Sequence, residues 1–145
     1  MKPLFLSFQV ALDPETKTWC AIGKDRQRKI FGVGSGPTRQ TAETALREAV
    51  VDSLAADAAD GVDGTLALFK RPPKQTHLVF TASDLLPLGL RRARAELNLR
   101  QSDLADRLGI TQQAYAKLER PGANPTLQTL IQLEEALDRE LVTIA

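Results

Sequence analysis

Leu4, Leu6, Phe8, Val10 and Leu12 occupy alternate positions. Side chains two apart line one face of an extended chain, so this spacing predicts a half-buried strand over 4–12. Asp13-Pro14-Glu15-Thr16 supplies turn chemistry, because proline presets φ and aspartate can bond its own downstream backbone. A second β-prone run follows at 18–23 and a third at about 29–33, separated by the charged stretch Lys24-Asp25-Arg26-Gln27-Arg28. From Thr41 the period lengthens. Ala42, Ala45, Leu46, Ala49, Val50 and Leu54 recur every three or four residues, the stripe of an amphipathic helix over 42–59, with Thr41 as N-cap and Glu43 in the first turn. Gly61 and Gly64 break it. Either Leu66-Ala67-Leu68-Phe69 or His77-Leu78-Val79-Phe80 is then the remaining strand, with Arg71-Pro72-Pro73 as a stiff spacer between the two.

Beyond residue 80 the spacing is helical. Leu85, Leu86, Leu88, Leu90, Ala93 and Leu97 describe one helix after Ser83-Asp84, and residues 101–108 a second that Gly109 stops. Thr111 caps a third helix running through Leu118. Asn124-Pro125 opens a fourth as N-cap and first helical residue, and it carries Leu127, Leu130, Ile131, Leu133 and Leu137. Residues 140–145 are too short and too β-branched to prolong it and read as a terminal strand. The expected fold is α+β. A small β-β-β-α-β domain spans 1–80, and an all-α domain with a short terminal strand spans 81–145.

Composition narrows the function. Nineteen Lys and Arg stand against 18 Asp and Glu in 145 residues, a net charge of +1, so any basic site must be local. The single cysteine, Cys20, allows no intramolecular disulfide and no Cys-based zinc cage, which suits a reducing compartment. The N-terminus lacks the pattern of a signal peptide, and no run approaches the roughly 18 apolar residues of a membrane span. A cytoplasmic protein with no membrane partner is expected. Catalysis has little to draw on: His77 is the one histidine, and Gly32-Val33-Gly34-Ser35-Gly36 clusters glycines without the spacing of a dinucleotide or phosphate loop. His77 reads as a side chain on a strand or linker surface. No catalytic residue, metal or cofactor is expected, and no enzymatic activity.

The most specific pattern is the run from Gln101 to Glu119, QSDLADRLGITQQAYAKLE. Two helices crossing closely at a tight turn need a small residue at the crossing, a glycine able to take positive φ in the turn, and apolar residues on the inner face of the second helix. Ala105, Gly109, Tyr115 and Leu118 stand at those positions. On these residues the stretch from Leu90 to Leu137 resembles the phage-repressor type of helix-turn-helix domain, the Cro and C-repressor or XRE family. The resemblance implies about five helices, the one after Thr111 entering the major groove of operator DNA. It also implies that Gln112, Gln113 and Ala116 face base edges, that Gln101 meets a phosphate, and that Lys117 touches backbone or base. Glutamine suits such a role, since its amide can bond N6 and N7 of adenine together. Residues 90–120 carry seven cations against four acids, a local net charge of +3, which permits phosphate binding without demanding it.

The wider arrangement resembles a HicB-type antitoxin. The likeness rests on a small sheet-and-helix unit ahead of the XRE-like domain, on Thr41-Ala42-Glu43-Thr44-Ala45 at the first helix, and on an Ala-Leu-x-x-Glu-Leu ending at residues 136–141. The Asp-Leu-Pro-Gly-Cys stretch of that family is absent, and Asp25-Arg26-Gln27-Arg28-Lys29 stands in its place. The resemblance implies a degenerate RNase H-like N-terminal domain that occludes a HicA-like ribonuclease toxin, and a C-terminal domain that represses its own operon as a homodimer or higher homo-oligomer. The terminal strand, 141–144, is the expected seam between protomers, because a short strand with an unpaired edge gains its missing hydrogen bonds from a symmetry mate. An XRE regulator whose first domain senses a small ligand or RNA is the alternative.

Overall fold

The computed structural model describes residues 2–141. Two compact units are present, a sheet unit of residues 2–54 and 64–80 and a helical unit of residues 55–63 and 81 onward.

The sheet unit holds β1 (Leu4–Asp13), β2 (Thr18–Lys24), β3 (Ile30–Gly36) and β4 (His77–Phe80), all antiparallel in the order β3-β2-β1-β4. Of the two candidates for the fourth strand, His77–Phe80 forms it, pairing Leu6 with Leu78 and Leu4 with Phe80. Leu66 instead falls in a short 3-10 turn at Gly64–Ala67, and Phe69 makes an isolated bridge with Phe5. Alternation sorts the side chains by face. Leu6, Phe8, Ala21, Leu78 and Phe80 are buried on the face that carries α1 (Arg39–Ala59), whose Ala42, Leu46, Val50 and Leu54 are buried in turn. Gly34 makes this packing possible: a Cβ there would stand 2.1 Å from the Leu46 nitrogen. Arg47 closes the edge, with its guanidinium over the Phe80 ring at 4.9 Å and a hydrogen bond to the Val79 carbonyl.

The start of α1 differs from the sequence reading. The helix begins at Arg39, so its cap is Thr38, whose Oγ1 accepts from the Thr41 N–H at 3.1 Å while Thr41 Oγ1 accepts from the Thr38 N–H at 3.0 Å. Thr41 sits three residues inside, and Glu43 lies past the first turn, paired with Arg39. A threonine in either place satisfies the same orphan donors. Apolar spacing begins only at Ala42, so it could not locate the cap.

The helical unit holds the end of α1 together with α2 (Ala82–Glu96), α3 (Gln101–Leu108), α4 (Gln112–Leu118) and α5 (Leu127–Leu137). Asp84 accepts the Thr81 N–H at 2.9 Å and fixes the start of α2. Leu90, Ala93, Leu104, Ala105, Tyr115, Leu133 and Leu137 form one core, flanked by Leu99, Leu108, Leu118, Ala136 and Leu141. The cap of α5 is Thr126, whose Oγ1 accepts from the Thr129 N–H at 3.2 Å, and not the expected Asn124. A residue before proline is disfavoured in helical backbone, and the helix starts two residues later than the Asn-Pro signal suggested. Four of the six residues of the expected terminal strand at 140–145 lie outside the described residues; Leu141, the last within them, donates its N–H to Glu134 Oε1 at 2.7 Å.

Candidate nucleic-acid interface

The α3–turn–α4 geometry follows from three local choices. Asp103 accepts the Arg100 N–H at 2.7 Å and so holds the first turn of α3. Gly109 ends that helix in the left-handed region, φ +67°, which glycine enters without steric cost. Thr111 caps α4, its Oγ1 accepting from the Ala114 N–H at 3.1 Å. Helical periodicity then separates two faces of α4. Tyr115 is buried and Leu118 half-buried on the inner face, while Gln112, Gln113 and Lys117 are exposed and Ala116 is half-buried. Spacings of one, four and five residues put Gln112, Gln113, Ala116 and Lys117 on one side of the helix.

Gln101 behaves differently from these four. Its side chain is half-buried, and its Nε2 donates to Glu119 Oε2 at 2.9 Å. One amide hydrogen is thereby engaged, and the second has no hydrogen-bond partner among the described residues.

Glu119 is the residue that sequence reasoning missed, having entered it only in the local charge count. It is 1% exposed and accepts four hydrogen bonds. Arg94 grips it with two, Nε to Oε1 at 2.7 Å and Nη2 to Oε2 at 3.1 Å. Tyr115 Oη adds a third at 2.7 Å, and Gln101 supplies the fourth. Arg94 also donates to the Leu99 carbonyl at 3.0 Å, so the network binds the end of α2, the start of α3 and the end of α4 together. Burial pushes the Glu119 carboxyl upward, but the bonds from Arg94, Gln101 and Tyr115 outweigh it and hold the group below its ordinary value. The bond to Glu119 in turn raises Arg94. Burial and the neighbouring carboxylate drive the Tyr115 phenol far above its usual range. A signal was present in the sequence: Glu119 lies four residues after the core tyrosine and therefore on the same inward face.

The two units carry net charges of opposite sign. The sheet unit carries eleven Lys and Arg against six Asp and Glu, net +5, and the helical unit eight against twelve, net −4. Within the latter, Arg91 and Arg94 are committed to Glu119, Arg92 to Asp63 and Glu96, and Arg100 to Asp103. Lys117 and Arg120 have no ion-pair partner among the described residues and remain available to phosphates.

His77 lies on β4, its ring edge-on to Phe5 at 5.4 Å and its Nδ1 bonded to the Gln75 carbonyl at 2.9 Å. Among the described residues no group of His, Cys, Asp and Glu is arranged to hold a metal ion, and no helix is long and apolar enough to cross a membrane.

A capped helix, a glycine turn, and a second capped helix with a buried inner face and an exposed polar outer face define a helix-turn-helix domain. Residues 90–144 match the helix-turn-helix family model HTH_3, the XRE type. That match supports DNA-binding transcription regulation of the XRE type. No curated protein matches the chain.

Proposed function

We propose that this protein reads an operator through α4 and, as an antitoxin, neutralises a HicA-like ribonuclease toxin through its sheet unit. The observation that carries the first half is the exposure of Gln112, Gln113 and Lys117 on one side of a helix whose other side is fixed by Tyr115 and Glu119. A rigid scaffold under short, bidentate side chains is what direct base readout needs. Binding as a homodimer to half-sites about 10–10.5 base pairs apart goes with this reading, because one seven-residue helix spans too few bases for useful specificity.

Gln112→Ala or Gln113→Ala is expected to weaken binding to the operator by about 1–3 kcal/mol and to leave a scrambled duplex nearly unaffected. Fluorescence anisotropy on both duplexes at one salt concentration measures the difference. Equal losses on the two would remove these glutamines from base readout.

The second half is supported by the resemblance of residues 41–49 and 136–141 to the antitoxin family, behind a small sheet-and-helix unit. Its test is inhibition: the full chain is expected to block RNA cleavage by a HicA-like ribonuclease. Charge reversal at Arg26 and Arg28 is expected to leave that inhibition intact, because a ribonuclease is itself basic where it holds phosphates. Loss of inhibition, with circular dichroism unchanged, would place the toxin against that turn. The second reading, an XRE-type regulator whose sheet unit receives a different signal, is favoured by a basic basin on that unit.

A further inference from the structure

The face of the sheet turned away from α1 carries a basin of about 550 Å³. That is the size of a small-ligand site. Its floor is Ser7 and Gln9 of β1, its rim on one side is the β2–β3 turn, and on the other side stand Phe69 and Gln75. Lys24, Arg26 and Arg28 project from the turn side. None of the three has an ion pair among the described residues. The one carboxylate in the lining, Asp25, is buried, and its Oδ1 accepts from the Gln27 N–H at 2.8 Å and the Lys29 N–H at 3.0 Å. It holds the turn that presents the arginines. A further backbone bond from Arg26 N–H to the Ala67 carbonyl, 3.0 Å, ties that turn to the 3-10 segment leading to Phe69.

Unpaired guanidinium groups facing a half-exposed aromatic ring and two primary amides form a consistent set. Arginines take phosphate oxygens, the ring takes the face of a base, and glutamine amides take base or sugar edges. Four further cations of the same unit, Lys29, Lys70, Arg71 and Lys74, neighbour the lining residues in sequence and have no ion pair among the described residues. A free nucleotide would need only the basin. A strand would also use the flanking cations at the phosphates on either side, and the +5 charge of the unit favours such a polyanion.

We infer that this basin binds one nucleotide of a single-stranded nucleic acid, with its phosphate on Arg26 and Arg28 and its base against Phe69. The site is separate from the operator-reading helix, and the inference does not rest on the identity of any toxin.

The test uses the full chain and fluorescein-labelled 12-mers of mixed-sequence RNA and DNA, with AMP as competitor and a duplex of the same DNA sequence as control. The double variant Arg26→Ser/Arg28→Ser is expected to weaken single-strand binding at least about tenfold. It should also flatten the slope of log K against log salt by about 0.7, the value for one phosphate no longer neutralised, and leave duplex binding unchanged. Phe69→Leu keeps an apolar side chain but removes the ring, and is expected to weaken single-strand binding about fivefold or more without altering the salt slope. An unchanged single-strand affinity in the double variant overturns the inference. So does displacement of the strand by AMP at concentrations equal to the strand's own Kd, which would make the basin a small-ligand site.

Discussion

Glu119→Ala is expected to cost the helical unit about 2–4 kcal/mol, because it leaves a half-buried guanidinium and a buried phenol without their partner. Arg94 loses two bonds, Tyr115 its only hydrogen-bond acceptor among the described residues, and Gln101 the carboxylate that orients it. Glu119→Gln keeps the shape but removes the charge, and is expected to fall between wild type and alanine. The acid limb follows from the same network. Glu119 is held below its ordinary value in the fold, so its contribution is complete above the unfolded carboxyl pKa of about 4.3 and is lost as pH falls from there through the lowered folded value. Urea melts followed by helical ellipticity between pH 7 and pH 3 measure both effects. The wild-type midpoint should drop toward those of the two variants as the carboxyl protonates. A Glu119→Ala midpoint within error of wild type at pH 7 would show that the network contributes little. The functional consequence is direct: Gln101 and the exposed face of α4 are positioned by the same carboxylate, so operator affinity should fall under conditions where the unit is still folded.

The helical unit was more legible in the sequence than the interactions that fix it. Ala105, Gly109 and Tyr115 answer separate steric demands at fixed spacing, and each has the predicted environment: a buried crossing, a left-handed cap and a buried core ring. Glu119 was missed because residue type argues for the surface while periodicity argues for the core, and only the distant Arg94 decides between them. The two misplaced caps have a common cause. Thr38 and Thr41, like Asn124 and Thr126, are alternative capping residues within three positions, and local sequence does not tell which turn the tertiary packing selects. The fourth strand was ambiguous for the same reason. Residues 66–69 and 77–80 are equally β-prone, but only the latter lie along the edge of β1 that β2 leaves open. The basin could not be read from the chain, since Gln9, Arg26, Phe69 and Gln75 are brought together only by the return of residues 66–76 across the sheet. The glycine cluster at 32–36 lacks the spacing of a phosphate loop, and its purpose at Gly34 is steric.

Gly34→Ala is expected to destabilise the sheet unit by about 3 kcal/mol, at the upper end of what overpacking a core costs. The added Cβ would lie 2.1 Å from the Leu46 nitrogen, 2.4 Å from the Ala42 oxygen and 2.7 Å from the Ala45 carbonyl carbon, all backbone atoms of α1. A side chain could swing aside, but a helix backbone must move as a whole, taking Ala42, Leu46 and Val50 away from the strands they cover. The same substitution in α2 gives the opposite sign. Gly89 has nothing within 4 Å of its Cβ position, so Gly89→Ala gains about 0.5–1 kcal/mol from the lower backbone entropy of the unfolded chain. The single tryptophan separates the two readings: Trp19 lies on β2 opposite Gly36, so its fluorescence follows the sheet unit, while ellipticity at 222 nm is dominated by the helices. In urea, Gly34→Ala should lower the Trp19 midpoint sharply, whereas Gly89→Ala should leave it in place or raise it. A Trp19 midpoint unchanged by Gly34→Ala would mean that α1 does not rest on β3 at this position, and the close approach that gives this glycine its purpose would be lost with it.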